Sequence, residues 1–359
     1  MLEDLTIQEA REILPAEIPQ GNRWNLSVIQ AYCLRELRLF ANKSSTKKIF
    51  LDGRMAKIAI LDTGIDESHP ELEGIVNGGI NLTSPDKKDF RDKDGHGTWV
   101  AGIVCSRNRH SGIAPNTEIY VVKVADGGYH GAVEHLEMGI KWSIDNNIDI
   151  ILIPRTVEGN YPDLMAICGE ARKKGAYVVS SAGNCVLSPR WPAGWPAKYS
   201  LSIGSIGLGQ CKQFTPQNTT HVFDSNKWPY LDFVAPGQNV ISTYLNGKYI
   251  QGSGTSIAAP HAAGVLCIAV SLARQVQASI SPGSVEAILK RTCFKYDTLA
   301  HGLEAKYIMN LLDSNKRLFQ DEKQMMQAMF GHGLIQSKDF IVSLCEYINS
   351  KVRKIYIHE

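Results

Sequence analysis

From Lys57 onward, short apolar runs alternate with longer segments whose apolar residues return every three or four positions. KIAILD, EIYVVKV, IDIILI, AYVVSSAGN, YSLSIGSI and LDFVAP have strand character, whereas HGTWVAGIV, AVEHLEMGIKWSIDN and AICGEARKKG have helical spacing. Alternation of the two predicts βαβ units and a largely parallel sheet, because a parallel pair needs a crossover long enough to hold a helix. The runs IAIL, YVVKV, DIILI and YVV are almost continuously apolar, as strands covered on both faces are. The expected fold is α/β, a three-layer sandwich with a mainly parallel central sheet.

The flanks carry weaker patterns. Thr6 and Glu9 stand in capping-box spacing, and Ile7, Ala10 and Leu14 follow at helical intervals, so a short amphipathic helix is predicted over 5–14, stopped by Pro15 and Pro19. Residues 1–20 read as a short N-terminal extension and 21–359 as one domain, since no repeat and no linker longer than a turn divides residues 50–295. The charged stretch near 297–329 is helical in pattern and reads as an insertion, with Met325, Met326 and Met329 packing one helix face. GHGLIQ then returns to turn and strand character. The apolar run Ile257–Ala273 is broken by Ser, Pro and His, short of a membrane span, and predicts a buried helix.

Composition narrows the function. A chain of 359 residues with 44% hydrophobic and 21% charged residues is globular, and 38 basic against 36 acidic residues leave no field that would draw nucleic acid or an anionic membrane. The N-terminal MLEDLTIQEAREIL has acids where a secretion signal needs positive charge, which predicts a cytoplasmic protein. Its eight cysteines, at 33, 105, 168, 185, 211, 267, 293 and 345, contain no C-x-x-C pair and are expected as free thiols.

Three segments place a reactive side chain beside glycine at the end of a regular element. In IAILDTG, Asp62 ends an apolar strand, where open α/β folds put their ligands. In DGHGTWVAG, His96 opens a helix, and in GSGTSIAAPHAAG, Ser256 opens a long apolar one. A serine hydroxyl attacks only if an imidazole takes its proton, and the imidazole needs a carboxylate to fix its tautomer, so acid, base and nucleophile form a required set. A helix starting at Ser256 aims free N–H groups at a developing oxyanion, and VVSSAGN delivers the Asn184 amide as a second donor.

Taken singly, these residues have plainer readings: Asp62 a turn residue, Thr255 or Ser256 a helix cap, His261 a packed helix residue. His110, His130, His135 and His221 lack zinc-site spacing, DGGYHG lacks the lysine of a phosphate loop, and GSIGLGQ is too sparse for a dinucleotide fingerprint. Three motifs in order outweigh the plain readings.

These motifs, in the order Asp, His, Ser, resemble the subtilisin family of serine peptidases from about Ile18 to Ile335. ELEGIVNGGINLTS and LDFVAPGQNVISTYLNGKY point to the intracellular subtilisins in particular. The resemblance implies an endopeptidase working through an acyl-enzyme, with Asp62, His96 and Ser256 as triad and Asn184 holding the oxyanion. Its substrate is polypeptide, it requires no cofactor, and a homodimer is compatible with it. Alternatives are a selective processing protease for one partner, or a binding scaffold on an inactive protease fold.

Departures from the family pattern shape the rest. Where relatives carry serine, leucine and two glycines on the substrate-pairing strand, this chain has Pro154, Arg155, Thr156 and Val157, which predicts altered pairing and a narrowed specificity pocket. A groove-facing Arg155 would favour an acidic or polar side chain before the cleaved bond, with the opposite edge formed by Tyr129, His130 and Gly131. Trp99 replaces a histidine behind His96, and Ile257 replaces an oxidisable methionine. CSRNRHSGIA is short where relatives bind calcium, and Glu71 alone does not make the 6–8 oxygen ligands that ion prefers, so no metal is assigned. The segment EILPAEIP is expected to block the groove as an inhibitory extension.

Overall fold

The computed structural model describes residues 11–13, 24–40, 48–107, 112–127, 132–184, 189–208, 219–221, 230–296, 322–352 and 355–358. Numbered along the chain, β1 (Arg11–Ile13), β2 (Arg38–Phe40) and β3 (Lys48–Ile49) precede the main body. The central sheet holds β4 (Lys57–Asp62), β5 (Val76–Asn81), β6 (Glu118–Lys123), β7 (Ile150–Ile153), β8 (Tyr177–Ser181), β9 (Leu201–Leu208), β10 (Thr219–His221) and β11 (Phe233–Pro236). Two short strands, β12 (Val240–Thr243) and β13 (Tyr249–Gly252), and the C-terminal β14 (Tyr356–His358) complete the set.

The strand order is β10-β9-β8-β7-β4-β6-β5, with β11 also on β9, and every pair is parallel except β9 with β10. Alternate residues of β4 explain the layering. Ile58 and Ile60 enter one core with Val100 and Val104 of helix His96–Cys105 and with Ala258, Ala262, Val265 and Leu266 of helix Thr255–Gln275. Ala59 and Leu61 enter a second core with Leu136 and Ile140 of helix Val133–Asp145 and with Leu164 and Cys168 of helix Pro162–Lys173. Helices therefore cover both faces, the three layers expected from the unbroken apolar runs. Thr255–Gln275 is long and apolar enough to cross a membrane, yet Thr255 through Ala273 all lie inside the domain.

The N-terminal expectation is corrected where it can be seen. Arg11–Ile13 is a strand, not part of a helix, paired antiparallel with β13 from Arg11 opposite Gln251 to Ile13 opposite Tyr249. A helix of about ten residues is marginal by itself, whereas the free edge of the β12–β13 ribbon offers a row of unpaired N–H and C=O groups. Residues 1–10 and 14–23 lie outside the described residues, as do 297–321 of the expected helical insertion. Glu322–Phe330 is helical and buries Met326 and Met329. Leu334 then bridges to both Val234 and Phe294, which brings GHGLIQ back to the sheet. Cys33, Cys105, Cys168, Cys267, Cys293 and Cys345 are free thiols, while Cys185 and Cys211 lie outside the described residues.

Candidate active site

Three neighbouring strands, β8, β7 and β4, end side by side at one edge of the sheet, with adjacent strands about 4.8 Å apart. β4 ends on Asp62, which is fully buried; β7 runs into Pro154–Thr156; β8 runs into Asn184. The residues singled out in the sequence thus meet because parallel strands share a carboxyl end.

His96 is placed by the cap of its own helix. Asp92 accepts from the backbone N–H of Asp94 (3.0 Å) and Gly95 (2.9 Å) through Oδ1, and from the N–H (2.9 Å) and hydroxyl (2.7 Å) of Thr98 through Oδ2. Gly95 has φ of 103°, and a Cβ there would sit 2.1 Å from the Tyr244 ring, so only glycine fits at the turn into the helix. The Gly97 N–H donates to Thr63 Oγ1 (2.9 Å), tying the helix start to the residue after Asp62. As a result His96 Nδ1 lies 2.8 Å from Asp62 Oδ2 and 3.0 Å from Oδ1. An ionised acceptor there requires the proton on Nδ1 and leaves the Nε2 lone pair free to take another.

Asp62 has two further donors, the Thr63 N–H at 2.7 Å and Arg155 Nε at 3.2 Å. Burial pushes its carboxyl up, but the charges of His96 and Arg155, with the hydrogen bonds from His96 and Thr63, outweigh it and hold it at about 2. Arg155 is only 7% exposed. Its guanidinium is turned inward, so the acidic preference expected of a groove-facing arginine loses its premise.

Ser256 is the second residue of its helix, and its surroundings fix the Asn184 amide. Asn184 Oδ1 accepts from both the N–H and the hydroxyl of Thr255, each at 3.0 Å, and Thr255 Oγ1 in turn accepts from the Gly183 N–H at 3.0 Å. With Oδ1 committed, Nδ2 is the free donor. Among the described residues neither Asn184 Nδ2 nor the Ser256 N–H has a hydrogen-bond partner. The two helix starts are drawn together by an apolar cluster in which Ile257, beside Ser256, joins Trp99, one turn after His96, with Ile103, Val240 and Ile250. The Trp99 indole lies against Gly252, where a Cβ would be 2.3 Å from the ring. Among the described residues no hydrogen bond joins Ser256 Oγ to His96; such bonds in substrate-free sites are often long and tighten on binding.

The subtilase family model matches residues 53–333, well over half of the chain. The chain belongs to the subtilase family. It is 34% identical over 258 residues to the major intracellular serine protease of Bacillus subtilis, covering 68% of this chain and 78% of that protein. Against the intracellular serine protease of Paenibacillus polymyxa it is 33% identical over 232 residues, 62% of this chain and 68% of that one. Against a subtilisin of Bacillus pumilus the figures are 33% over 223 residues, 61% and 78%. This subtilase is a serine endopeptidase, and its substrates are polypeptides.

The subtilase differs from expectation chiefly along its groove. Tyr129, His130 and Gly131 lie outside the described residues. Pro154 is buried at the end of β7, and Thr156 is half-buried beside it. Val157 is already paired: its N–H donates to the Trp191 carbonyl (2.9 Å) and its carbonyl accepts from the Trp191 N–H (3.1 Å). Trp195 Nε1 donates to Asn160 Oδ1 (3.1 Å), holding the same segment in place. His261 is a packed helix residue, as its plainer reading has it, with Nδ1 on the Ile257 carbonyl (2.9 Å) and Nε2 on Asn25 (2.9 Å).

Glu71 is buried, and its Oε1 accepts the Tyr249 hydroxyl (3.0 Å), with the His69 ring edge-on to Tyr249 at 5.0 Å. Among the described residues no group of three or more His, Cys, Asp or Glu could hold a metal ion. Sequence reasoning took Thr255 only as a helix cap and passed over Asp92 and Trp191. Asp92 had a visible signal, a carboxylate four residues before His96; Trp191 had none.

Proposed function

We propose that Ser256 is the nucleophile of this endopeptidase, that His96 is its base and then its acid, and that Asp62 orients His96. In the resting site His96 carries its proton on Nδ1, facing Asp62, and Nε2 takes the Ser256 proton as Oγ attacks the peptide carbonyl. The carbonyl oxygen becomes an oxyanion, met by Asn184 Nδ2 and the Ser256 N–H. His96 then gives its proton to the leaving amine, and water, deprotonated by the same imidazole, releases the acyl group. The observation that carries this reading is the joint geometry of one sheet edge: His96 2.8 Å from Asp62, and Asn184 anchored by Thr255, one residue before Ser256. Hydrolysis of a peptide amide should fall steeply in Ser256→Ala and in His96→Ala, with the double variant no worse than either single one. Additive losses would reject a shared mechanism.

A second reading, cleavage of a selected partner rather than of proteins at large, is favoured by the closed strand after β7. Pro154 has no N–H to give, and Val157 is paired with Trp191, so an extended substrate finds few backbone partners on that side. Comparable digestion of casein and of short peptides would exclude this selectivity. The names of the intracellular relatives support a cytoplasmic setting, testable by fractionating cells that express the tagged full chain.

A further inference from the structure

We propose that Arg155 is a positioning residue of the proteolytic site: its buried guanidinium is the fixed counter-ion of Asp62, keeping the orienting carboxylate charged while His96 is neutral and competing with His96 once the imidazole takes its proton. The inference rests on the triad reading above, because it concerns the acid that orients the base.

Three observations carry it. Arg155 Nε lies 3.2 Å from Asp62 Oδ1, the oxygen that also faces His96 Nδ1 at 3.0 Å, so two donors share one carboxylate. Asp62 is fully buried and Arg155 nearly so, which leaves little water to screen either charge. Pro154 fixes the backbone before Arg155, and the bridge between Val157 and Trp191 fixes it after. The arginine is thus held at the end of β7, facing the end of β4, rather than swinging on a free loop.

Other charged groups around Asp62 are engaged elsewhere. Lys123, its register partner on β6, has its ammonium on Asp126 (3.0 Å) and on the Arg91 carbonyl (2.8 Å). Asp92, before the His96 helix, has both oxygens occupied by the four donors of the cap. Among the described residues Asp62 therefore has two cationic partners at contact range, Arg155 at all times and His96 whenever its imidazole is protonated. While His96 is neutral, Arg155 is the cation among the described residues that compensates the buried carboxylate, beside the hydrogen bonds from Thr63 and His96. When His96 takes the Ser256 proton, the second cation meets an acid already partly neutralised, so the imidazolium is held less tightly than it would be by an unshared carboxylate.

The test is the pH profile of kcat/KM for a peptide amide, measured on the full chain with Arg155→Met, which keeps the stem and removes the charge, Arg155→Gln, which keeps a donor without the charge, and Arg155→Lys. Loss of the charge should move the acid limb to higher pH by about one unit, the size expected for one charge at close range. KM should change little, and lysine should restore the limb toward the parent position. Should Arg155→Met fail to fold, Arg155→Gln carries the same expectation. An unmoved limb in a folded neutral variant, or an effect confined to KM, would overturn the proposal and make Arg155 a groove residue instead. Absence of Ser256-dependent hydrolysis in the parent chain would be a different failure, that of the triad reading.

Discussion

Thr255→Val removes one oxygen from the site and leaves its shape almost unchanged. The hydroxyl has two roles: it donates to Asn184 Oδ1 and accepts from the Gly183 N–H, each at 3.0 Å. Without it Asn184 keeps the Thr255 backbone N–H, also at 3.0 Å, so the amide retains one of its two anchors. A hydrogen bond of this kind is worth about 1 kcal/mol net, and a tenfold rate change corresponds to about 1.4 kcal/mol, so kcat should fall roughly fivefold. Because the oxyanion exists only in the transition state and its neighbours, KM should hold steady. The Gly183 N–H is left buried without an acceptor, so folding stability should drop by about 1–3 kcal/mol. Steady-state kinetics on a peptide amide, with denaturant unfolding of the same preparation, reads both quantities. Unchanged kcat in a variant that has lost the expected stability would refute the claim that Thr255 aims Asn184. Asn184→Ala should be more severe, on the order of a hundred- to a thousand-fold in kcat, as for loss of the oxyanion amide in subtilisin.

Three further outcomes are expected. Burial raises the Asp232 carboxyl from 3.8 to about 7, against the pull of the Ser202 N–H bond; an acid held above its unfolded value binds more protons when folded, so stability should fall as pH rises from about 4 to 7 and then level off, by roughly 4 kcal/mol at most. Asp232→Asn, which keeps an acceptor for Ser202, should flatten that slope in urea titrations, and parallel curves for the two proteins would contradict the assignment. Deleting residues 1–20 should raise peptidase activity and release β13 from its antiparallel pairing with Arg11–Ile13, and equal turnover in both forms would dismiss an inhibitory extension. Chelation by EDTA should leave both the melting temperature and kcat unchanged, since among the described residues no group of three or more His, Cys, Asp or Glu could hold a metal ion; a fall restored by calcium would contradict this.

Much of the site was legible because its logic is local. Asp62 stands at the end of an apolar strand, and His96 and Ser256 stand beside glycines at helix starts. A run of residues is enough to place each of them at an element's end, and parallel strands bring the ends together. Side-chain direction beyond a strand's last residue has no such period. Arg155 could face the groove or the acid, and the sequence offers nothing to choose between them; Asp62, a buried carboxylate wanting a cation, decides it. The pairing of Val157 with Trp191 spans thirty-four positions and carries no pattern of its own. At the N-terminus the capping-box spacing was real, yet Arg11–Ile13 went to the open edge of β13, a tertiary offer that local spacing does not register. β5, the edge strand VNGGIN, escaped notice because its two glycines break the apolar run that marks the inner strands.

The central claim is that Ser256 is an activated nucleophile. The most direct measurement is to treat the full chain with a fluorophosphonate and map the adduct by peptide mass spectrometry, with His96→Ala as the comparison. One adduct per chain on Ser256, formed far more slowly in His96→Ala, is the expected result. An unmodified Ser256, or labelling at the same rate without His96, would contradict it.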